Sequence, residues 1–343
     1  MLSGLLLLLF GAELAVRAAV DLAAILRIRP LIIGLTVVAL GSSAPQAAVS
    51  LQAAFSSNTD IAVGSVIGGG IFSVLVTLGL CSLIIPLRVA RQVLRIDIPL
   101  MIAACVLVTG LAWDRELDKL DGAILLAGLA ICLFIVLRQA GQSARHGHTA
   151  GSGSPRAPSR LAMLLAGLLA LAVGGHLLVD ASVVIALNLG LSERVIGLTV
   201  IAVATSLPGL AASLIAALRG ERDIAVGNVI GSTLFNLLGV LGLTAMVAPD
   251  ALSVSPNALV FDLPVLLGVA ALCLPLFYSG YRIDRIEGLL LLSLYLTYGL
   301  HLVSISTGML LAEQLESAML RFILPVLSAL VAWGIVRAWR RQH

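Results

Sequence analysis

The 343-residue sequence predicts an all-α polytopic membrane protein: two inverted five-helix repeats giving ten core spans, plus one C-terminal helix. Three observations predict it. The chain is 60% hydrophobic and only 11% charged, with a mean hydropathy of +1.11, whereas a soluble domain carries roughly 25% charged residues to hydrate its surface. Apolar runs of about 18 residues or more, each able to cross a hydrocarbon layer of roughly 30 Å, recur along its length. The first half of the chain is also repeated in the second.

In order, the spans fall at 3–25, 31–55, 61–85, 98–113, 121–138, 161–188, 195–218, 224–248, 258–277, 286–303 and 318–338. The first has no basic segment ahead of its apolar run and carries Glu13, Arg17 and Asp21, so it reads as a span rather than a cleaved leader. Proline interrupts the second and seventh spans, and glycines crowd the third and eighth. The fourth and ninth open on Asp97-Ile98-Pro99 and Asp262-Leu263-Pro264, where the Asp is expected to cap the helix. The segment Gln139–Arg160 is rich in Gly, Ser, Pro and Arg and reads as a polar linker, with His146 and His148 solvated within it. Cys81, Cys105, Cys132 and Cys273 lie in or beside apolar runs and form no CxxC pair, so they read as buried small hydrophobes.

Loop charges set the orientation. With the N-terminus outside, inner loops hold Arg27, Arg29, Arg88, Arg91, Arg95, Arg138, Arg145, Arg156, Arg160, Arg219, Arg222, Arg282, Arg285, Arg337, Arg340 and Arg341. Outer loops hold only Arg115, Lys119, Arg194 and Arg321. The positive-inside rule therefore places the linker and the C-terminus in the cytoplasm of a bacterial inner membrane. The expected division is 1–138 as the first repeat, 139–160 as the linker, 161–303 as the second repeat and 304–343 as an extra helix and tail.

Residues 33–80 align with 196–243 at a constant offset of 163 without a gap, and about half the positions are identical. Five spans per unit is an odd number, so the two copies must cross the membrane in opposite directions. Inverted repeats of this kind belong to secondary transporters, whose site lies near the midplane between the repeats. Two interruptions recur in each copy. Gly41-Ser42-Ser43-Ala44-Pro45-Gln46 matches Ala204-Thr205-Ser206-Leu207-Pro208-Gly209, where proline is expected to release the carbonyls of Gly41 and Ala204. The run Gly64 to Ser73 matches Gly227 to Asn236, whose small residues suit close helix packing and whose polar Ser73, Ser232 and Asn236 are expected to face a site.

These paired stretches resemble the two α-repeats of the sodium/calcium exchanger family, with its G-T-S-L-P-E and G-N-x-I-G-S-N-x-F-N/D patterns. The resemblance implies ten core helices in inverted halves, alternating access by sliding of the first and sixth helices, and a central cluster of cation sites. The matching positions are Ser42, Ser43, Gln46 and Ser73 in the first copy and Thr205, Ser206, Gly209, Ser232 and Asn236 in the second, with carbonyls of Ala39 and Ala202. The family's acidic ligand after each proline is replaced here by Gln46 and Gly209, and the serine of the second motif is Gly69 in the first copy. No Asp or Glu lies within 31–59, and none within 195–220. Ca²⁺ takes about 6–8 oxygens, usually with carboxylates among them, and neutral oxygens alone do not offset the cost of dehydrating a divalent ion. Neutral carbonyl and hydroxyl cages do bind monovalent ions.

Charged residues inside spans are candidates for coupling. Glu13 and Arg17 stand four apart on one helix, as do His176 and Asp180, and each pair could equally neutralise itself. Three readings stand: a cation antiporter that exchanges Na⁺, Ca²⁺, K⁺ or H⁺, a transport-inactive scaffold that kept the fold, and a carrier of a neutral solute. Bound metal and oligomeric state are left open. No cofactor is implied, membrane lipid is the surrounding partner, and a net charge of +3 suggests no nucleic-acid partner. No HExxH, no GxSxG and no core carboxylate pair points to an enzyme.

Overall fold

The computed structural model describes residues 2–26, 28–56, 58–145, 157–188, 200–278 and 281–307, together with a few isolated positions beyond them. The expected eleventh span at 318–338, His146, His148 and the start of the seventh span lie outside the described residues. The chain is an all-α bundle. Its helices are α1 (Leu2–Leu26), α2 (Pro30–Ser42), α3 (Ala44–Phe55), α4 (Thr59–Ile84), α5 (Val93–Asp114) and α6 (Lys119–Arg145) in the first half. In the second half are α7 (Ala157–Asn188), α8 (Ala202–Leu218), α9 (Arg222–Val247), α10 (Ala258–Tyr278) and α11 (Arg285–Thr307). Among them, six are individually long and apolar enough to cross a membrane, and α2 with α3 forms a seventh span bent by 41°. Helices satisfy every backbone group within themselves, which is why this apolar sequence can adopt little else in lipid. Helices α6 and α7 run into the segment expected as linker, to Arg145 and from Ala157.

The inversion is visible in two short strand pairs. Strand β1 (Leu87–Arg88) pairs antiparallel with β4 (Arg282–Ile283), and β2 (Glu116–Leu117) with β3 (Leu252–Ser253). An offset of 165 carries β1 onto β3 and one of 166 carries β2 onto β4. Each pair therefore joins the loop after the third helix of one half to the loop before the fifth helix of the other.

Almost every residue of α4 and α9 is buried, whereas α6 keeps most of its apolar surface outward. Small residues make that centre possible. Gly227 and Gly231 let α9 approach α2 so closely that a Cβ would fall 2.7 Å from the Leu31 carbonyl and 2.4 Å from that of Leu35. Helices α1 and α7 meet in the same manner at Gly4, Gly11, Gly167 and Gly174. All four cysteines are free and buried.

Several local expectations are corrected. The first proline does break its helix: the chain turns at Ser43 between α2 and α3. Pro208 instead sits inside the unbroken α8. The glycine runs interrupt nothing; each helix passes through them and then opens into a π turn, Ser73–Thr77 in α4 and Phe235–Val240 in α9. Asp97 and Asp262 cap no helix, because each ends a π turn, Val93–Asp97 and Ala258–Asp262, and has helical backbone angles or helical neighbours on both sides. The helix begins earlier than the proline signal suggests.

The glycine contact between α1 and α7 gives a direct test. In Gly167→Ala the new methyl would meet Ala15 backbone nitrogen at 2.6 Å, so the helices must separate at a cost of about 1–3 kcal/mol. Gly268→Ala on α10, with nothing within 4 Å, should instead be neutral or stabilising by about 0.5–1 kcal/mol. Equal thermal midpoints for the two variants in detergent would contradict the packing described.

Candidate functional site

The middle of the bundle is polar but uncharged. On α3, Gln46 is 1% exposed and spends its whole amide on neighbours. Its Oε1 accepts a hydrogen bond from Thr205 Oγ1 of α8 at 2.6 Å, and its Nε2 donates to Ser65 Oγ of α4 at 2.9 Å and to Ser50 Oγ at 3.2 Å. On α9, Asn228 repeats the pattern. Ser42 Oγ of α2 donates to its Oδ1 at 3.0 Å, while its Nδ2 donates to the Gly209 carbonyl at 3.0 Å and to Ser213 Oγ at 2.9 Å.

The two clusters are related by the repeat, with one exchange. The offset of 163 carries Ser42 onto Thr205, Ser50 onto Ser213 and Ser65 onto Asn228. Each half thus has a hydroxyl that crosses to an amide of the other half. In the first half the amide comes from the helix after the proline, as Gln46 reaching over the short Ser65. In the second it comes from the next helix, as Asn228 filling the space that Gly209 leaves. A Cβ on Gly209 would lie 3.8 Å from Asn228 Nδ2 and 3.7 Å from Ser42 Oγ.

Oxygen atoms gather at one further point. A Cβ on Gly69 of α4 would lie 3.2 Å from Ser206 Oγ, 3.3 Å from Gln46 Oε1 and 3.9 Å from the Ala202 carbonyl. The absence of a methyl lets three neutral oxygens from two helices close on this face of α4. Ser43 Oγ and Asn236 Oδ1 are also buried, with no hydrogen-bond partner. No group of three or more His, Cys, Asp or Glu suited to a metal ion occurs among the described residues.

Of the residues expected from sequence, Ser42, Gln46, Thr205, Ser206 and Gly209 meet in this cluster. Ser73 is buried at the head of the α4 π turn, and Ser232 bonds its own helix at the Val229 carbonyl, 3.1 Å away. The carbonyls of Ala39 and Ala202 are engaged by Ser42 at 3.2 Å and by Thr205 and Ser206 at 3.2 and 2.8 Å. Ser50, Ser65, Ser213 and Asn228 are the residues that sequence reading passed over. Their signal is there: polar residues in matched apolar runs, two pairs at the same offset.

The charged candidates lie elsewhere. Glu13 pairs with Arg17 on α1, with Nε to Oε1 at 2.9 Å, and also with Arg219 just after α8. Asp21 pairs with Arg160 of α7 at 3.1 Å, and these groups with Glu221 line a cavity of about 400 Å³ at that end of the bundle. Glu221, in the loop, is pushed above the usual carboxylate range by burial and by Asp223, and pulled back by Arg219. His176 and Asp180 stand 3.6 Å apart on an exposed face of α7 and do not join the central cluster.

The exchange of amides predicts a rescue. Asn228→Ser should leave the Ser42, Gly209 and Ser213 groups short of partners and cost about 1–3 kcal/mol. Adding Gly209→Gln should recover part of that loss by restoring the arrangement of the first half, read as coupling in a double-mutant cycle of thermal midpoints.

The profile of the sodium/calcium exchanger protein family matches residues 1–138 and 159–304. The putative antiporter CaxA of Alkalimonas amylolytica is 37% identical over 308 residues, covering 87% of this chain and 95% of that protein. The inner membrane protein YrbG of Escherichia coli (strain K12) is 37% identical over 275 residues, 78% of this chain and 84% of that one. A solved structure of the sodium-calcium exchanger NCX_Mj, soaked with Na⁺ and Ca²⁺, superposes with a TM-score of 0.74 at 29% identity, over 90% of this chain and 96% of that one.

Proposed function

We propose, from the premise that this chain belongs to the sodium/calcium exchanger family and is a secondary membrane transporter, that it carries a monovalent cation rather than calcium. One observation carries the proposal: among the described residues the buried centre offers amides, hydroxyls and carbonyls but no carboxylate. A divalent ion stripped of water needs nearby negative charge to recover its hydration energy. A monovalent ion needs far less, and neutral oxygens suffice for it.

In this reading the ion lies against Gly69. Gln46 Oε1, Ser206 Oγ and the Ala202 carbonyl face it there, with Ser43 and Asn236 supplying free oxygens as the halves move. Ser42 and Thr205 hold the two amides in place across the repeats. Ser73 and Ser232 line the same faces of α4 and α9, and Gly209 and Ala39 contribute backbone. The halves 1–138 and 161–303 move against each other, 139–160 links them on the cytoplasmic side, and 304–343 adds a helix outside the repeat. Glu13 and Arg219 tie α1 to the end of α8, so their pair opens when α1 and α7 slide.

A transport-inactive scaffold is favoured by a different fact: protein groups alone supply hydrogen-bond partners to both N–H bonds and to the oxygen of each amide. The two readings separate on ligand stabilisation, since a ligand that binds the folded protein must raise its thermal midpoint. Purified protein should be stabilised by Na⁺ or K⁺ at millimolar concentration and not by Ca²⁺. Stabilisation by Ca²⁺ alone refutes the monovalent reading, and no response to any cation favours the scaffold.

Two further outcomes are expected. Gln46→Glu with Gly209→Glu should create calcium binding and calcium flux in liposomes, because it restores charge on both sides of the site. Orientation in the bacterial inner membrane is tested with an impermeant thiol reagent on intact cells, the native cysteines being buried. Ser3→Cys should label from outside and Ser152→Cys should not.

A further inference from the structure

With a neutral centre, any group that takes up or releases a proton during transport must lie elsewhere, and one buried carboxyl stands out. Asp97 ends the π turn Val93–Asp97 of α5, at the end of the bundle where the arginine-bearing loops gather. It is 1% exposed, and neither carboxyl oxygen has a hydrogen-bond partner. Five residues earlier on the same turn, Gln92 accepts from Arg29 Nη1 at 3.3 Å, yet its own Nε2 is also buried with no partner. A buried donor and two buried acceptors thus stand one π turn apart without meeting.

The second half shows what is missing. Asp262, the counterpart of Asp97, accepts a hydrogen bond from the Tyr298 hydroxyl at 3.0 Å. The offset that carries Asp118, Asp121 and Gly122 onto Asp284, Glu287 and Gly288 carries Cys132 onto Tyr298. The first half therefore has a thiol where the second has a phenol. Other charged groups are turned away from Asp97. Arg29 binds Gln92 and stands beside Asp223 at the start of α9. Arg95 on the same turn and Arg138 at the end of α6 are exposed, and α10 brings a buried Cys273 and an exposed Tyr278.

An isolated carboxylate ion in such surroundings is strongly disfavoured and takes a proton instead. We infer that Asp97 is a proton-binding site, held as the neutral acid in this conformation. Its proton comes from water at the arginine-rich mouth, and returns there when the mouth opens and water reaches the oxygens. One O–H bond forms or breaks, with no change of oxidation state. Coupling of that proton to cation movement rests on the transport reading above, whereas the site itself does not.

Infrared spectroscopy of the full-length protein in liposomes tests the site without knowing the cargo. The wild type should show the carbonyl stretch of a protonated carboxylic acid at neutral pH, lost on alkaline titration. Asp97→Asn should lack that band, and Asp262→Asn should keep it. A wild type without the band overturns the inference with no variant needed, and so does a band unchanged in folded Asp97→Asn. In flux assays Asp97→Asn should flatten the dependence of cation movement on pH at the arginine-rich side, and Asp97→Glu should retain it with a displaced midpoint. Wild-type pH dependence in Asp97→Asn overturns the coupling. Presence of the Asp97 band with no cation flux at all refutes the transport reading and leaves the proton site standing.

Discussion

The hydrogen bond from Thr205 to Gln46, 2.6 Å long and crossing from one half of the chain to the other, is the interaction on which the centre depends. In a membrane interior a polar group that lacks a partner is costly, so a network that satisfies both amides at once holds its helices together. Thr205 can reach Gln46 only if α8 and α3 meet, which requires the bend at Ser43 and the narrow faces of α4 and α9. The paired bond from Ser42 to Asn228 sets the same requirement from the other side. Two hydroxyls and two amides thereby fix the relative placement of the halves, and they do so without charge.

The repeat makes the halves similar, and its departures explain where they differ. Both prolines remove one backbone donor, yet only the first breaks its helix. Around Pro208, the Thr205 hydroxyl that donates to Gln46 also lies 2.8 Å from the Ile201 carbonyl, and Ser206 donates to that of Ala202 at 2.8 Å. The carbonyl that Pro208 leaves without its donor is that of Ala204, which neither hydroxyl bonds, yet α8 stays whole. Around Pro45, the Ser42 hydroxyl lies 3.2 Å from the Ala39 carbonyl, but the Ser43 hydroxyl has no partner and the chain turns there. Helix α7 crosses this region closely: a Cβ on Gly175 would lie 2.7 Å from Pro208 and 3.0 Å from Pro45. Both prolines therefore pack against the same helix.

The spans that fall on described residues, the duplication and the inversion were legible in the sequence because each rests on averages over twenty or more residues. Hydropathy over a span and identity over 48 aligned positions survive any local irregularity. The polar residues on either side of the prolines were legible for the same reason. The amide exchange was not. Alignment compares Gln46 with Gly209 and finds a group lost, and it compares Ser65 with Asn228 and finds a change of size. Only the side-chain geometry shows that one loss is filled by the other change. The expected caps at Asp97 and Asp262 failed for a related reason: Asp before Pro marks a helix start when the preceding turn is loop, and here that turn is already helical.

A neutral site does not remove carboxyls from the membrane; it moves them outward. Asp97 and Asp262 occupy matching places in α5 and α10, and inversion puts them toward opposite faces. Near one face the carboxyl is isolated, and near the other it is held by Tyr298. A pair of identical carboxyls would respond alike on both sides of the membrane. The substitution of a thiol for a phenol makes the two ends unequal, since only the Tyr298 hydroxyl stabilises an ionised partner by donating to it. The two copies differ here at Cys132 and Tyr298, in spans that share few residues.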